Sequence, residues 1–103
     1  MGQERMKRYQ LAMTVETAEC VRGLHPSIKR KVKAALNAIL SDPAVGSSLR
    51  DELKGLMSFR VGRFRIIYRM PSKGIIDVVA IGPRKSIYEE TYRLIKKSTL
   101  NGA

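Results

Sequence analysis

The 103-residue sequence predicts an α+β fold: an N-terminal strand, a helical hairpin, a three-stranded antiparallel β-meander and a C-terminal helix. Three observations predict it. From Met57 to Met70 arginines and large apolar residues alternate with period 2, as in a strand pair with one core side and one cationic side. Ile28, Val32, Ala35, Leu36, Ile39 and Leu40 recur at helical spacing, as do Ile87, Thr91, Leu94 and Ile95. Pro71-Ser72-Lys73-Gly74 is a strong turn signal, and the β-branched run from Ile75 to Ile81 behind it reads as a buried central strand.

Taken in order, Tyr9, Leu11, Met13 and Val15 alternate with Gln10, Ala12 and Thr14, which predicts a first strand with one buried face. Glu16 to Arg22 reads as a short helix ending at the Gly23 break. His25-Pro26-Ser27 opens a longer helix, with Pro26 near its first turn, where the missing N–H costs little. Ser41-Asp42-Pro43 closes it. Its outer face carries Lys29, Arg30, Lys31 and Lys33, a row that suits a phosphate backbone or plain solvation. Ala44 to Gly55 reads as a loop, with a short helical turn around Leu49 to Leu53.

Gly62-Arg63 reads as a two-residue hairpin loop, with Gly62 supplying the positive φ required at the first central position of a type II′ turn. The register follows. Val61 faces Phe64, Phe59 faces Ile66 and Met57 faces Tyr68, while Arg60 lies opposite Arg65 and Ser58 opposite Ile67 on the cationic side. Like charges opposed on a sheet are unfavourable, so the arginine pair asks for full solvation or an anion held between. A four-residue loop at Pro71 to Gly74 places Ala80 opposite Arg65 and Val78 opposite Ile67. The same parity points Arg84 to the cationic side unless a one-residue bulge reverses it. Ser86 to Lys97 is the terminal helix, with Lys96 and Lys97 suited to the negative end of its dipole.

Twenty Lys and Arg against nine Asp and Glu give a formal net charge of +11. Self-repulsion of that size disfavours a compact state and points to a polyanionic partner, nucleic acid or an acidic protein. The length suits one small domain, residues 1–103 with a core over about 9–97. No apolar run reaches the ~18 residues that a membrane span needs. Met1 to Arg8 is polar with no apolar signal core behind it, so the cytoplasm is the expected compartment. The single Cys20 has no intrachain disulfide partner, and with one histidine, His25, the sequence offers no zinc site. No metal and no cofactor are expected.

These residues resemble the RelE/ParE superfamily of bacterial toxin components. The resemblance is carried by Leu53-Lys54-Gly55, by Phe59-Arg60-Val61-Gly62-Arg63-Phe64-Arg65-Ile66-Ile67-Tyr68, and by Ile81-Gly82-Pro83-Arg84-Lys85-Ser86-Ile87-Tyr88. It covers roughly Tyr9 to Lys97 and implies a twisted sheet with helices on one face. RelE-like members cleave mRNA in the A site of the 30S ribosomal subunit, whereas ParE-like members poison DNA gyrase without a nuclease site. On the RelE-like branch, which is favoured, Arg65 matches the catalytic strand arginine and Arg84 the arginine after the last strand. Tyr88 matches the tyrosine that stacks on or activates the substrate. Arg60 matches one of two basic positions on the preceding strand, the other being Ser58 here, and Lys54 and Arg63 complete the expected RNA contacts. The implied partner is a cognate antitoxin whose acidic or amphipathic segment covers the arginines or displaces the helix that carries Tyr88.

The implied chemistry needs neither a histidine nor a carboxylate pair. RNA carries its own nucleophile, the 2′-OH, so the enzyme has to align it with the adjacent phosphate and stabilise charge on the phosphoryl and leaving 5′ oxygens. Arginine forks grip phosphate bidentately but stay protonated, so they are not ordinary bases. Tyr88 is then the candidate base, since surrounding cations favour a phenolate; a stacking platform or core tyrosine is the equal alternative. The competing functions are a gyrase inhibitor and a non-catalytic basic RNA- or ribosome-binding protein.

Overall fold

The computed structural model describes residues 9–102, with side chains over 9–96. The expectations for Met1 to Arg8 and for the Lys97 side chain lie outside the described residues. The chain runs β1 (Gln10–Met13), α1 (Val15–Arg22), α2 (Pro26–Ser41), β2 (Ser47–Ser48), β3 (Leu56–Val61), β4 (Phe64–Ser72), β5 (Ile75–Pro83) and α3 (Ile87–Gly102). The strands form one sheet in the order β1-β5-β4-β3-β2, with β1 parallel to β5 and the other pairs antiparallel.

Local chemistry sets the boundaries. The Thr14 hydroxyl accepts from the Thr17 N–H at 3.1 Å and caps α1, so β1 stops short and Val15, expected at its end, starts a helix 69% exposed. His25 Nδ1 accepts from the Ser27 N–H at 3.2 Å and caps α2, with Pro26 in the first turn as expected. The segment read as a loop holds two 3₁₀ turns, Pro43–Val45 and Asp51–Leu53, and the short β2, whose Ser47 and Ser48 pair with Ser58 and Met57. Two residues are too few to show a period, which is why β2 was not expected.

The sheet is covered on both faces. Val21 of α1 and Val32, Ala35, Leu36 and Ile39 of α2 pack on Met57, Ile66, Tyr68, Ile76, Val78 and Ile81. On the opposite face Ile87 of α3 packs with Leu56, Ile67 and Ala80, flanked by Leu49, Leu53 and Ile95. This corrects the expected arrangement of helices on one face. The side expected to be cationic also carries an apolar strip from Leu56, Ile67 and Ala80, and that strip is what the apolar stripe of α3 buries. Leu94, assigned to the stripe, is instead 49% exposed.

The β3–β4 register is the expected one, with Val61 opposite Phe64, Arg60 opposite Arg65 and Ser58 opposite Ile67. Gly62 has φ 59 and Arg63 has no positive φ, the pattern of a type II′ turn. The β4–β5 register is a correction. Lys73 (φ 57) and Gly74 (φ 81) both take left-handed backbone and form a two-residue loop between the partners Ser72 and Ile75. Arg65 therefore faces Gly82, not Ala80, and Ile67 faces Ala80, not Val78. One extra residue in β4 between Arg69 and Ser72 and one in β5 between Val78 and Ala80 cancel in parity. Gly82 thus shares the face of Arg65.

Candidate functional site

Two cross-strand rows build the floor of the site: Arg60, Arg65 and Gly82, and beside it Ser58, Ile67 and Ala80. The first turn of α3 is the roof. It comes close because Gly82 has no side chain: a Cβ there would lie 3.0 Å from Cδ1 of Ile87, which is fully buried.

Under that roof the two opposed arginines part company. Arg60 is exposed, and its Nε donates to the Gly62 carbonyl of its own hairpin at 3.5 Å. Arg65 is half-buried and turns toward α3, where its Nη1 donates to Ser58 Oγ at 3.3 Å and its guanidinium carbon lies 5.9 Å from the Tyr88 ring centroid. The like-charge conflict between them is relieved by divergence. Ser58 Oγ is also 3.1 Å from the Tyr88 hydroxyl, so one buried serine joins the cation to the phenol. Arg65 Nε is buried with no hydrogen-bond partner.

Of the residues expected at the site, Arg65 and Tyr88 come together here. Arg84 stands just beyond β5 with its side chain exposed, tied to the hairpin through its backbone N–H, which donates to the Arg63 carbonyl at 2.8 Å. Arg63 is exposed in the turn itself, and Arg60, Arg63 and Arg84 form a solvent-facing basic corner at the end of the sheet. Lys54 is exposed at the end of the second 3₁₀ turn, next to Leu53, which packs beneath α3. Among the described residues no three His, Cys, Asp or Glu side chains gather as a metal would need, and no helix is long and apolar enough to cross a membrane.

Ser58 is the residue that sequence reasoning underrated. Its parity placed it on the face of Arg60 and Arg65, a small polar residue opposite Ile67. Its role depends on Tyr88, and Tyr88 reaches it only because α3 covers this face.

A family profile described as the ParE toxin of the type II toxin-antitoxin system, parDE, matches residues 12–88. No curated protein matches the chain significantly. Among solved structures, the toxin-antitoxin complex RelBE2 from Mycobacterium tuberculosis contains a chain 28% identical to this one, with TM-score 0.65, over 75% of this chain and 99% of that chain. The free Escherichia coli toxin RelE, as a double arginine-to-alanine mutant, is 19% identical with TM-score 0.70, over 87% and 97% of the two chains. The archaeal RelE-RelB complex from Pyrococcus horikoshii is 18% identical with TM-score 0.60, over 75% and 96%. All three share the fold described above.

Proposed function

This chain belongs to the ParE toxin family of type II toxin-antitoxin systems, and from that premise we propose that it arrests growth by cutting mRNA on the ribosome. Its partner is a cognate antitoxin, in keeping with the toxin-antitoxin complexes among the similar structures. That antitoxin neutralises it by covering the arginines or displacing α3.

The observation that carries the reading is the state of Arg65. Its guanidinium is partly withdrawn from water, its Nε–H is buried and unpaired, and among the described residues the ion pairs join only exposed helical side chains elsewhere. A half-buried cation without an anionic partner is unfavourable, and a phosphodiester at the exposed part of the guanidinium supplies one. The phenol stands one serine away. In the proposed reaction the 2′-OH attacks the adjacent phosphorus and the P–O5′ bond breaks, leaving a 2′,3′-cyclic phosphate and a 5′-OH end. Arg65 and Arg84 hold the phosphoryl oxygens as charge builds, and Tyr88 receives the 2′-OH proton as its own hydroxyl proton passes to water, while water protonates the departing 5′ oxygen. Arg60, Arg63 and Lys54 hold flanking phosphates, and the ribosomal A site presents the strand.

Toe-printing of mRNA in a translation extract tests this. The expected result is new ends within the translated region with the unaltered chain and none with Arg65→Ala or Arg84→Ala. Intact mRNA under the unaltered chain overturns it. A second reading, inhibition of DNA gyrase, is favoured by the family match and by neutral Ser58 standing where a second strand cation would strengthen phosphate binding. It predicts DNA breaks in cells with mRNA uncut.

A further inference from the structure

Ser58 is the best-buried polar side chain of the site, 2% exposed, and both of its hydrogen bonds run to residues proposed to meet RNA. Those bonds have a direction. A guanidinium only donates, so Ser58 Oγ accepts from Arg65 Nη1. The serine then has one proton of its own to place, burial keeps it from water, and the acceptor within reach among the described residues is the Tyr88 oxygen at 3.1 Å. The opposite polarity, Tyr88 donating to Ser58, strands the serine proton in a buried place, which is the costlier arrangement.

We infer that Ser58 is a positioning residue: it holds the Tyr88 oxygen as an acceptor and thereby aims the phenolic proton away from the sheet, toward the open side of the site. The chain of donors runs Arg65 to Ser58 to Tyr88 to whatever lies outside. Ser58 is too buried to touch a nucleic acid and acts only through Tyr88. The same chain serves either protonation state of the phenol. A neutral Tyr88 presents its O–H outward, and a deprotonated one keeps the serine donor on its oxyanion, polarised by the cation behind it. That an RNA linkage occupies the open side rests on the cleavage reading above; the direction of the hydroxyl does not.

Raman spectroscopy separates the two polarities. The upper-to-lower intensity ratio of the tyrosine Fermi doublet falls as a phenol changes from acceptor to donor. Subtracting the spectrum of the corresponding Tyr88→Phe protein isolates Tyr88 from the other three tyrosines. In Ser58→Ala, which removes one oxygen and adds no volume, the Tyr88 ratio is expected to fall. A rise, as when a phenol loses the group it donated to, or no change, overturns the inference. In ribosome-dependent cleavage Ser58→Ala is expected to slow the single-turnover rate about tenfold at unchanged half-saturating ribosome concentration. If the doublet falls while no protein, the unaltered chain included, cuts mRNA, the cleavage reading fails and the hydroxyl direction stands.

Discussion

The guanidinium carbon of Arg65 lies 5.9 Å from the ring centroid of Tyr88, so the cation of β4 sits against the first turn of α3. The contact is a cation–π arrangement in which the arginine gives Ser58 a hydrogen bond and keeps a buried, unpaired Nε–H. Removing the arginine loses one hydrogen bond and the cation–π contact but also relieves a buried unpaired donor, so the two effects largely offset. Arg65→Ala is therefore expected to lower cleavage by about 100-fold or more while urea unfolding stays within about 1 kcal/mol of the unaltered chain. Arg65→Lys is expected to fail almost as badly, since a point charge does not replace a planar fork. A strongly destabilised but active Arg65→Ala protein would show that the arginine serves the fold.

The basic corner predicts a different signature. Arg63 is exposed and outside the Arg65–Ser58–Tyr88 chain of hydrogen bonds, so in the proposed binding of an RNA strand it acts through charge alone. Arg63→Ala is expected to weaken binding equally for all sequences and to reduce the slope of log affinity against log salt by about one. Filter binding across a salt series measures both, and an unchanged slope places the strand elsewhere.

The approach of α3 to the sheet depends on Gly82. A methyl there meets Cδ1 of Ile87 at 3.0 Å, and Ile87 is fully buried against Leu56, Ile67 and Ala80. Gly82→Ala is expected to cost about 1–3 kcal/mol by overpacking and to lift the turn that carries Tyr88. Ile87→Ala empties the same place and is expected to cost about 2–5 kcal/mol. Both should reduce cleavage more than the loss of folded protein explains, which a rate normalised to the folded fraction at each temperature would reveal.

What the sequence made legible depended on whether local chemistry settled the geometry. The β3–β4 register was readable because Gly62 marks its turn and Phe59, Val61, Phe64 and Ile66 keep strict alternation. The α2 helix was readable from Pro26 and an uninterrupted apolar stripe. The β4–β5 register was not, because Lys73, a residue with no preference for positive φ, adopts it and because two offsetting bulges leave no mark on the hydrophobic pattern. Arg65 and Tyr88 were named through the family resemblance, but the Ser58 bridge was not. A helical stripe says which residues are buried and not against which face of a sheet, and Ser58 meets Tyr88 only when that choice is made.

Away from the site, Tyr68 gives the fold an alkaline limit. Its side chain is fully buried, its hydroxyl donates to the Pro43 carbonyl at 2.7 Å and accepts from the Gly46 N–H at 3.0 Å. Burial pushes the phenol above its ordinary pKa, with Asp42 adding to the shift and the Gly46 bond opposing it. The neutral form is thus favoured in the folded chain. Up to about pH 10 both states hold the proton and stability is unaffected; above that the unfolded chain ionises first and stability falls until the folded phenol titrates too. Tyr68→Phe leaves the Pro43 carbonyl and the Gly46 N–H unpaired and is expected to cost about 1–3 kcal/mol near neutrality. Because the phenylalanine does not ionise, the stability gap between the two proteins is expected to narrow as pH rises above about 10. Urea unfolding of both at matched pH measures the gap directly, and a gap that stays constant would mean that the folded and unfolded phenols titrate alike.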